Sequence, residues 1–461
     1  MIDRLAIFGA TGDLSARYLL PALAALQAAG HLGDRLQLSC AGREDWDSAQ
    51  FRNWAAAQLD RHGEAWPASA RQAIAASARW QQADAADPAG VASAIAGDGP
   101  VAAYLALPPV VFPIAVSTLH DASLPPGSRI VLEKPFGEDL DSAVELNRLL
   151  ADLVPEQAVF RVDHFLAMST VQNLLGSRLA NRILEPIWNS AHIAEIEIVW
   201  DERLTLEGRA GYYDGAGALK DMVQNHLLQL LCLIAMEPPI SLGERDLRDR
   251  KVDVLRSIRP LTGEDVMRRT RRARYLAGRI GDRQVPAYVD EEGVDPARRT
   301  ETFAEVELEL DNWRWAGTIF RLRSGKALGQ DRKEVAVHFR SVPHLPLGHS
   351  GEALPNVLRF GLDPERLTLD LTGIGPRART LVPLTLTAQM EPPDLPAYGR
   401  LLLDVLNGNA ALSIRGDEAE ESWRVLTPVL EAWTKDQVPL QEYPAGSDGP
   451  APQQPNRRKA G

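Results

Sequence analysis

The chain of 461 residues holds only two cysteines, Cys40 and Cys232, each inside an apolar stretch. That excludes a disulfide framework and fits a reducing compartment, so a cytoplasmic location is expected. Long hydrophobic runs are scarce too. The longest, Leu227 to Met236, is interrupted by Gln229 and is far too short to cross a bilayer, so no membrane partner is expected. A surplus of positive charge is also lacking: 50 Lys and Arg against 62 Asp and Glu leave a formal net charge of −12. This argues against broad attraction to nucleic acid, while a local basic pocket for a small phosphate stays compatible with it. The opening residues Ile2-Asp3-Arg4-Leu5-Ala6-Ile7-Phe8 have neither the basic stretch nor the cleavage site of a secretory signal. What is there, 45% hydrophobic and 24% charged residues, is an ordinary globular composition, long enough for two domains and suited to small-molecule partners.

Apolar residues 5 to 8, then glycines, then Leu19, Leu20, Leu23 and Leu26 at helical spacing read as strand, tight turn and helix, the last over Tyr18–Ala28. Runs at Leu36–Ala41, Val101–Ala106 and Ile130–Leu132 extend the alternation into an α/β Rossmann-type domain with a parallel sheet over 1–160. After that the pattern changes. Helices are predicted over 169–182 and 219–236, with a glycine-rich turn at 208–217. Alternating runs follow at Ile193–Val199, Thr302–Leu310, Trp313–Arg323, Glu334–Phe339, Val357–Phe360 and Leu367–Leu371. They predict a larger α+β domain with a mostly antiparallel sheet over 161–450, closed by helices at Tyr398–Leu406 and Glu418–Trp433. The Pro-, Gln- and Arg-containing tail, 451–461, is expected to be disordered.

A glycine-rich turn between a strand and a helix lets backbone N–H groups approach a pyrophosphate. Gly9 and Gly12 in Gly9-Ala10-Thr11-Gly12-Asp13-Leu14 supply such a turn, although G-x-x-G is shorter than the full dinucleotide fingerprint and also describes a plain strand-to-helix turn. Arg43 follows the second strand, where NAD-preferring sites carry an acid for the ribose hydroxyls; an arginine there pairs with a 2′-phosphate. NADP is therefore favoured, and Glu44 beside it keeps NAD open.

Four segments, in this order and spacing, resemble glucose-6-phosphate dehydrogenases: Gly9-Ala10-Thr11-Gly12-Asp13-Leu14, Glu133-Lys134-Pro135-Phe136-Gly137, Arg161-Val162-Asp163-His164-Phe165-Leu166, and Asp221-Met222-Val223-Gln224-Asn225-His226-Leu227-Leu228-Gln229. The run from Gly208 through Arg209 to Gly215 and the terminal Tyr443–Pro450 are similar to the same family. The resemblance implies oxidation of the C1 hydroxyl of a cyclic hexose 6-phosphate to a lactone, with hydride passing to NADP, in the pentose phosphate pathway. Such a reaction needs a base of near-neutral pKa. His226 matches that base, and Asp163 the carboxylate that orients its imidazole. Lys134 matches a lysine reaching between sugar and nicotinamide, and Pro135 a proline preceded by a cis peptide. Glu202, Asp221 and His226 match groups at the sugar hydroxyls, His164 and Lys326 groups on the phosphate side, and Gly9, Thr11, Gly12, Asp13, Leu14, Arg43 and Lys134 the coenzyme set. No metal ligands are assigned, and a homodimer or homotetramer is implied. Taken alone, a histidine in an apolar helix is more often a satisfied core residue than a base, and a lone aspartate after a strand more often orders its loop.

The chain also departs from the family pattern. The loop usually reads R-I-D-H-Y-L-G-K, and here Phe165 and Met168 replace its tyrosine and lysine. Tyr18 stands where relatives carry a lysine, and Asp331 where a basic residue often stands. Each charge-assisted hydrogen bond lost from a phosphate is worth on the order of 1.5–3 kcal/mol. Arg17 and Arg332 are the candidates to compensate. Besides glucose 6-phosphate, two readings follow: the same oxidation of a non-phosphorylated or modified hexose, and a catalytically silent nucleotide-binding regulatory relative. Retention of both His226 and Asp163 speaks against the silent one.

Overall fold

The computed structural model describes residues 1–33, 36–208, 210–345, 352–376 and 380–451, so Arg209 and all but the first residue of the tail expected at 451–461 lie outside the described residues. The chain divides into two compact units. One comprises Met1–Gly176, Met236–Arg256 and Glu391–Arg424; the other comprises Ser177–Ala235, Ser257–Met390 and the residues from Val425 onward. The region 1–160 lies wholly in the first unit, whereas 161–450 is shared between the two, because the chain returns twice to the first.

The first unit is built on a six-stranded sheet. Its strands are β1 (Arg4–Phe8), β2 (Gln37–Gly42), β3 (Ala78–Gln82), β4 (Ala102–Leu105), β5 (Arg129–Glu133) and β6 (Val159–Val162). They run parallel in the order β3-β2-β1-β4-β5-β6. This is the doubly wound order in which a crevice opens where the strand sequence reverses, here between β1 and β4. Every residue of β1 is buried, as expected of a strand covered on both faces. The two edge strands, β3 and β6, escaped the sequence reading. β3 reads Ala-Arg-Trp-Gln-Gln and has only one partner strand, so it needs no continuous apolar run. The helix Ala397–Asn407 buries Tyr398, Leu401, Leu402, Val405 and Leu406 at helical spacing. All five join Leu5, Ile7, Leu23 and Phe160 in one core cluster.

The second unit holds a nine-stranded sheet in the order β16-β15-β14-β13-β7-β12-β11-β8-β17. Its strands are β7 (Ile193–Asp201), β8 (Thr270–Leu276), β11 (Phe303–Leu308), β12 (Ile319–Gly325), β13 (Arg332–Phe339), β14 (Val357–Leu362), β15 (Glu365–Ile374), β16 (Leu381–Gln389) and β17 (Leu440–Pro444), with a separate hairpin of β9 (Gly278–Ile280) and β10 (Arg283–Val285). Pairing is antiparallel except between β7 and β12 and between β8 and β17. Two expectations need correction. The glycine-rich stretch expected to be a turn at 208–217 is helical over Ala210–Ala218, broken only at Gly217 with φ 67°; helix hydrogen bonds outweigh glycine's entropy cost there. The run Trp313–Arg323 does not begin as a strand: Trp313 is fully exposed in a turn, and β12 starts at Ile319. Among the described residues no helix is long and apolar enough to cross a membrane.

Candidate active site

The glycine turn follows β1. Gly9 has φ 77°, and a Cβ there would meet the Ala106 carbonyl oxygen after β4 at 2.3 Å. Only glycine lets the backbone pass so close to β4, which is the space a dinucleotide cradle at the strand reversal requires. The Gly9 and Ala10 N–H groups donate to the Ala41 carbonyl at 2.9 and 3.0 Å, fastening the turn to β2. Leu14 packs against the core, and Asp13 is exposed opposite Arg17 at 3.7 Å. Arg43, directly after β2, is exposed. Thr11 and Glu44 are joined: the Thr11 hydroxyl donates to Glu44 Oε1 at 2.8 Å.

Further along the same sheet, β5 and β6 pair in parallel with Glu133 opposite Val162. The next residues of each strand, Lys134 and Asp163, are thereby carried to the same carboxyl edge. The Lys134–Pro135 bond is cis, as the resemblance implies. Asp163 is 2% exposed, and its Oδ1 accepts from the Phe165 N–H at 2.9 Å, capping the short helical turn His164–Ala167. His164 is thus projected from a fixed turn. Its ring stacks on Tyr398 at 5.5 Å, and Tyr398 meets Tyr18 at 5.1 Å. Burial pushes the Glu133 carboxyl up to about 7 against the lowering effect of its hydrogen bond with Tyr104. Tyr398, Tyr104 and Glu133 were given no role from the sequence, although Glu133 opens one of the matched segments; no spacing rule connects a residue near position 400 with one near 130.

In the second unit, Asp221 and His226 lie on a π-helix, Leu219–Leu227. Its i→i+5 hydrogen bonding stacks residues five apart on one face, where an α-helix would splay them. The Asn225 side chain reinforces this widening by donating to the Lys220 carbonyl at 2.9 Å. His226 is 1% exposed, and its N–H donates to Asn225 Oδ1 at 2.6 Å. The π-helix starts from Leu219, whose N–H donates to Glu301 at 3.0 Å. Burial pushes Glu301 up to about 7. Asp221 is half-buried and accepts from the exposed Tyr212 at 3.4 Å.

Glu202 and Lys326 are brought together by the parallel pairing of β7 with β12, in which Asp201 faces Gly325. Lys326 Nζ donates to Glu202 Oε2 at 2.8 Å and lies 5.3 Å from the Tyr213 ring centre. β13 pairs antiparallel with β7, Arg332 opposite Asp201, so Asp331 enters at the same edge. Its carboxylate accepts from the Arg203 N–H at 2.9 Å. Arg332 is held by Glu197 at 2.7 Å and Glu334 at 2.8 Å.

Residues 6–173 match the family model described as the NAD binding domain of glucose-6-phosphate dehydrogenase, and residues 175–460 match its C-terminal domain. A glucose-6-phosphate 1-dehydrogenase from Zymomonas mobilis is 39% identical over 98% of this chain and 96% of that protein. One from Mycolicibacterium smegmatis is 40% identical over 96% of this chain and 93% of that protein. A solved glucose-6-phosphate dehydrogenase in complex with its substrate glucose-6-phosphate superposes with a TM-score of 0.88 at 30% identity, over 98% of this chain and 96% of that one. With its strand order and both family models matched in sequence, the chain belongs to the glucose-6-phosphate dehydrogenase family.

Proposed function

We propose that this protein is a glucose-6-phosphate 1-dehydrogenase, which oxidises the C1 hydroxyl of the cyclic sugar to the lactone and passes hydride to NADP. The observation that carries this reading is the π-helix that puts buried His226 and Asp221 on one face, in a chain of this family. The nicotinamide ring, when bound, accepts the hydride. His226 takes the hydroxyl proton as the C1–H bond breaks and the carbonyl forms. Asp163 orients the imidazole and stabilises its charged form. The Lys134 ammonium donates to sugar oxygens, Glu202 and Asp221 accept from sugar hydroxyls, and His164 and Lys326 serve the phosphate side. Gly9, Thr11, Gly12, Asp13 and Leu14 form the cradle for the coenzyme, with Arg43 at its 2′-phosphate. Self-association into a dimer or tetramer is supported by Leu384 and Leu386, which share one face of β16 and are left 49% and 59% exposed.

A second reading, the same oxidation of a non-phosphorylated hexose, is favoured by one observation. Arg332 is engaged by two carboxylates, so it does not make up for the tyrosine hydroxyl and the lysine ammonium missing at Phe165 and Met168. Both readings are tested by incubating the protein with NADP and either glucose 6-phosphate or glucose, and following the absorbance of the reduced nicotinamide. Reduction with glucose 6-phosphate is expected. Reduction with glucose alone would select the second reading, and none with either sugar would overturn both.

A further inference from the structure

The helix that carries Asp221 and His226 is fastened at both ends by side chains from other parts of the second unit. At its start, Gly217 breaks the preceding helix with φ 67°, so the N–H groups that follow need acceptors from elsewhere. Glu301, two residues ahead of β11 and 9% exposed, supplies them. Its carbonyl accepts from the Ala218 N–H at 3.2 Å, and its carboxyl Oε1 accepts from the Leu219 N–H at 3.0 Å. A Cβ on Gly217 would lie 2.4 Å from that oxygen, so the carboxyl fills the space the glycine leaves. The neighbours of Glu301 are tied down in turn: the Thr302 N–H donates to the Ala273 carbonyl at 2.8 Å, and the Thr300 hydroxyl to the Asp214 carbonyl at 2.7 Å. At the far end the π-helix continues as an α-helix, Leu228–Ala235. Its last carbonyls accept from three fully buried side chains: Arg178 at Leu233 and Ile234, both 3.1 Å, Trp188 at Ile234, 2.8 Å, and Trp315 at Ala235, 2.7 Å.

The π turn is a rare arrangement, and a helix held at one end alone can return to the α register by turning its free end. Held at both, it cannot. Burying a carboxyl costs free energy that an apolar side chain at the same place would avoid, so its hydrogen bond to the helix start needs a purpose. We infer that Glu301 is a positioning residue for the proposed reaction: by accepting from Leu219 it holds the start of the π-helix and so keeps Asp221 and His226 on one face. Burial pushes the carboxyl up to about 7, and its protonated form still has an oxygen that accepts, so the hold does not depend on charge. The inference rests on the reading of His226 as the base.

The test is steady-state kinetics of the full-length protein with NADP and the sugar that the parent oxidises, glucose 6-phosphate or glucose, beside calorimetric titration with NADP alone. Glu301→Leu removes the acceptor and is expected to lower kcat by roughly ten- to hundredfold, with the coenzyme dissociation constant unchanged. Glu301→Gln keeps an oxygen for the Leu219 N–H and should bring kcat back to within about threefold of the parent. A residue that only stabilises the fold would lower the melting temperature and leave the kcat of the folded enzyme alone. Gly217→Ala drives a methyl group against the carboxyl and should lower kcat in the same sense; it carries the test if Glu301→Leu does not fold. A kcat within about twofold of the parent in these two variants, or in whichever of them folds, overturns the inference and leaves the dehydrogenase reading intact. So does a Glu301→Gln variant as slow as the one lacking the acceptor. A parent that reduces no coenzyme with either sugar would overturn both.

Discussion

The glycine turn after β1 and the π-helix Leu219–Leu227 are built on opposite principles. The turn presents backbone: its requirement is that nothing project from Gly9, because the Ala106 carbonyl already fills the space. The π-helix presents side chains, and its requirement is phase, since Asp221 and His226 share a face only while the helix keeps its wider turn. A site made of backbone is limited by volume, whereas a site made of side chains is limited by register.

The comparison can be broken at either end. His226→Asn should lower kcat by roughly 10²–10⁴-fold while leaving the coenzyme dissociation constant unchanged, as steady-state kinetics and calorimetry would show. Loss of coenzyme binding in this variant would mean that the π-helix does more than place the base. Gly9→Ala should do the reverse. It forces a side chain into a positive-φ backbone and against a carbonyl, a strain of about 1–3 kcal/mol, and coenzyme affinity should fall about tenfold or more. An unchanged affinity would show that the turn yields and that volume is not its constraint.

The smallest expected effect concerns the end of β5, where burial raises Glu133 from 4.5 to about 7. Between those values the folded chain keeps a proton that the unfolded chain has lost. Its contribution to stability therefore declines as pH rises through this window and is flat above it. Relative to the parent, the melting temperature of Glu133→Gln should climb from pH 4.5 to 7 and then level off. A pH-independent difference would place the carboxyl in ordinary solvent.

The glycine turn could be read from composition because its physics is the absence of a side chain, and β1, β2, β4 and β5 could be read because buried parallel strands are continuously apolar. β3 and β8 could not: one is an edge strand rich in polar residues, and the other reads Thr-Arg-Arg-Ala-Arg-Tyr-Leu, with Arg271 and Arg272 buried through pairing to Glu305 and Asp436. Motif resemblance located Asp221 and His226 but said nothing of their helix type, since the hydrophobic pattern Leu219, Met222, Val223 suits an α-helix equally well. The stack of Tyr18, Tyr398 and His164 joins residues far apart in the chain, and only the fold brings them together.

A π-helix carries one residue per turn more than the hydrogen-bond ladder of an α-helix accommodates, and so behaves as an insertion held within an otherwise ordinary helix. Inserting a further residue between Asp221 and His226 would set the two six apart, about 120° around an α-helix. The imidazole would leave the aspartate's face although neither residue had been replaced. At this position the reactive geometry is encoded by counting, and a change in chain length would be harsher than many exchanges of side chain.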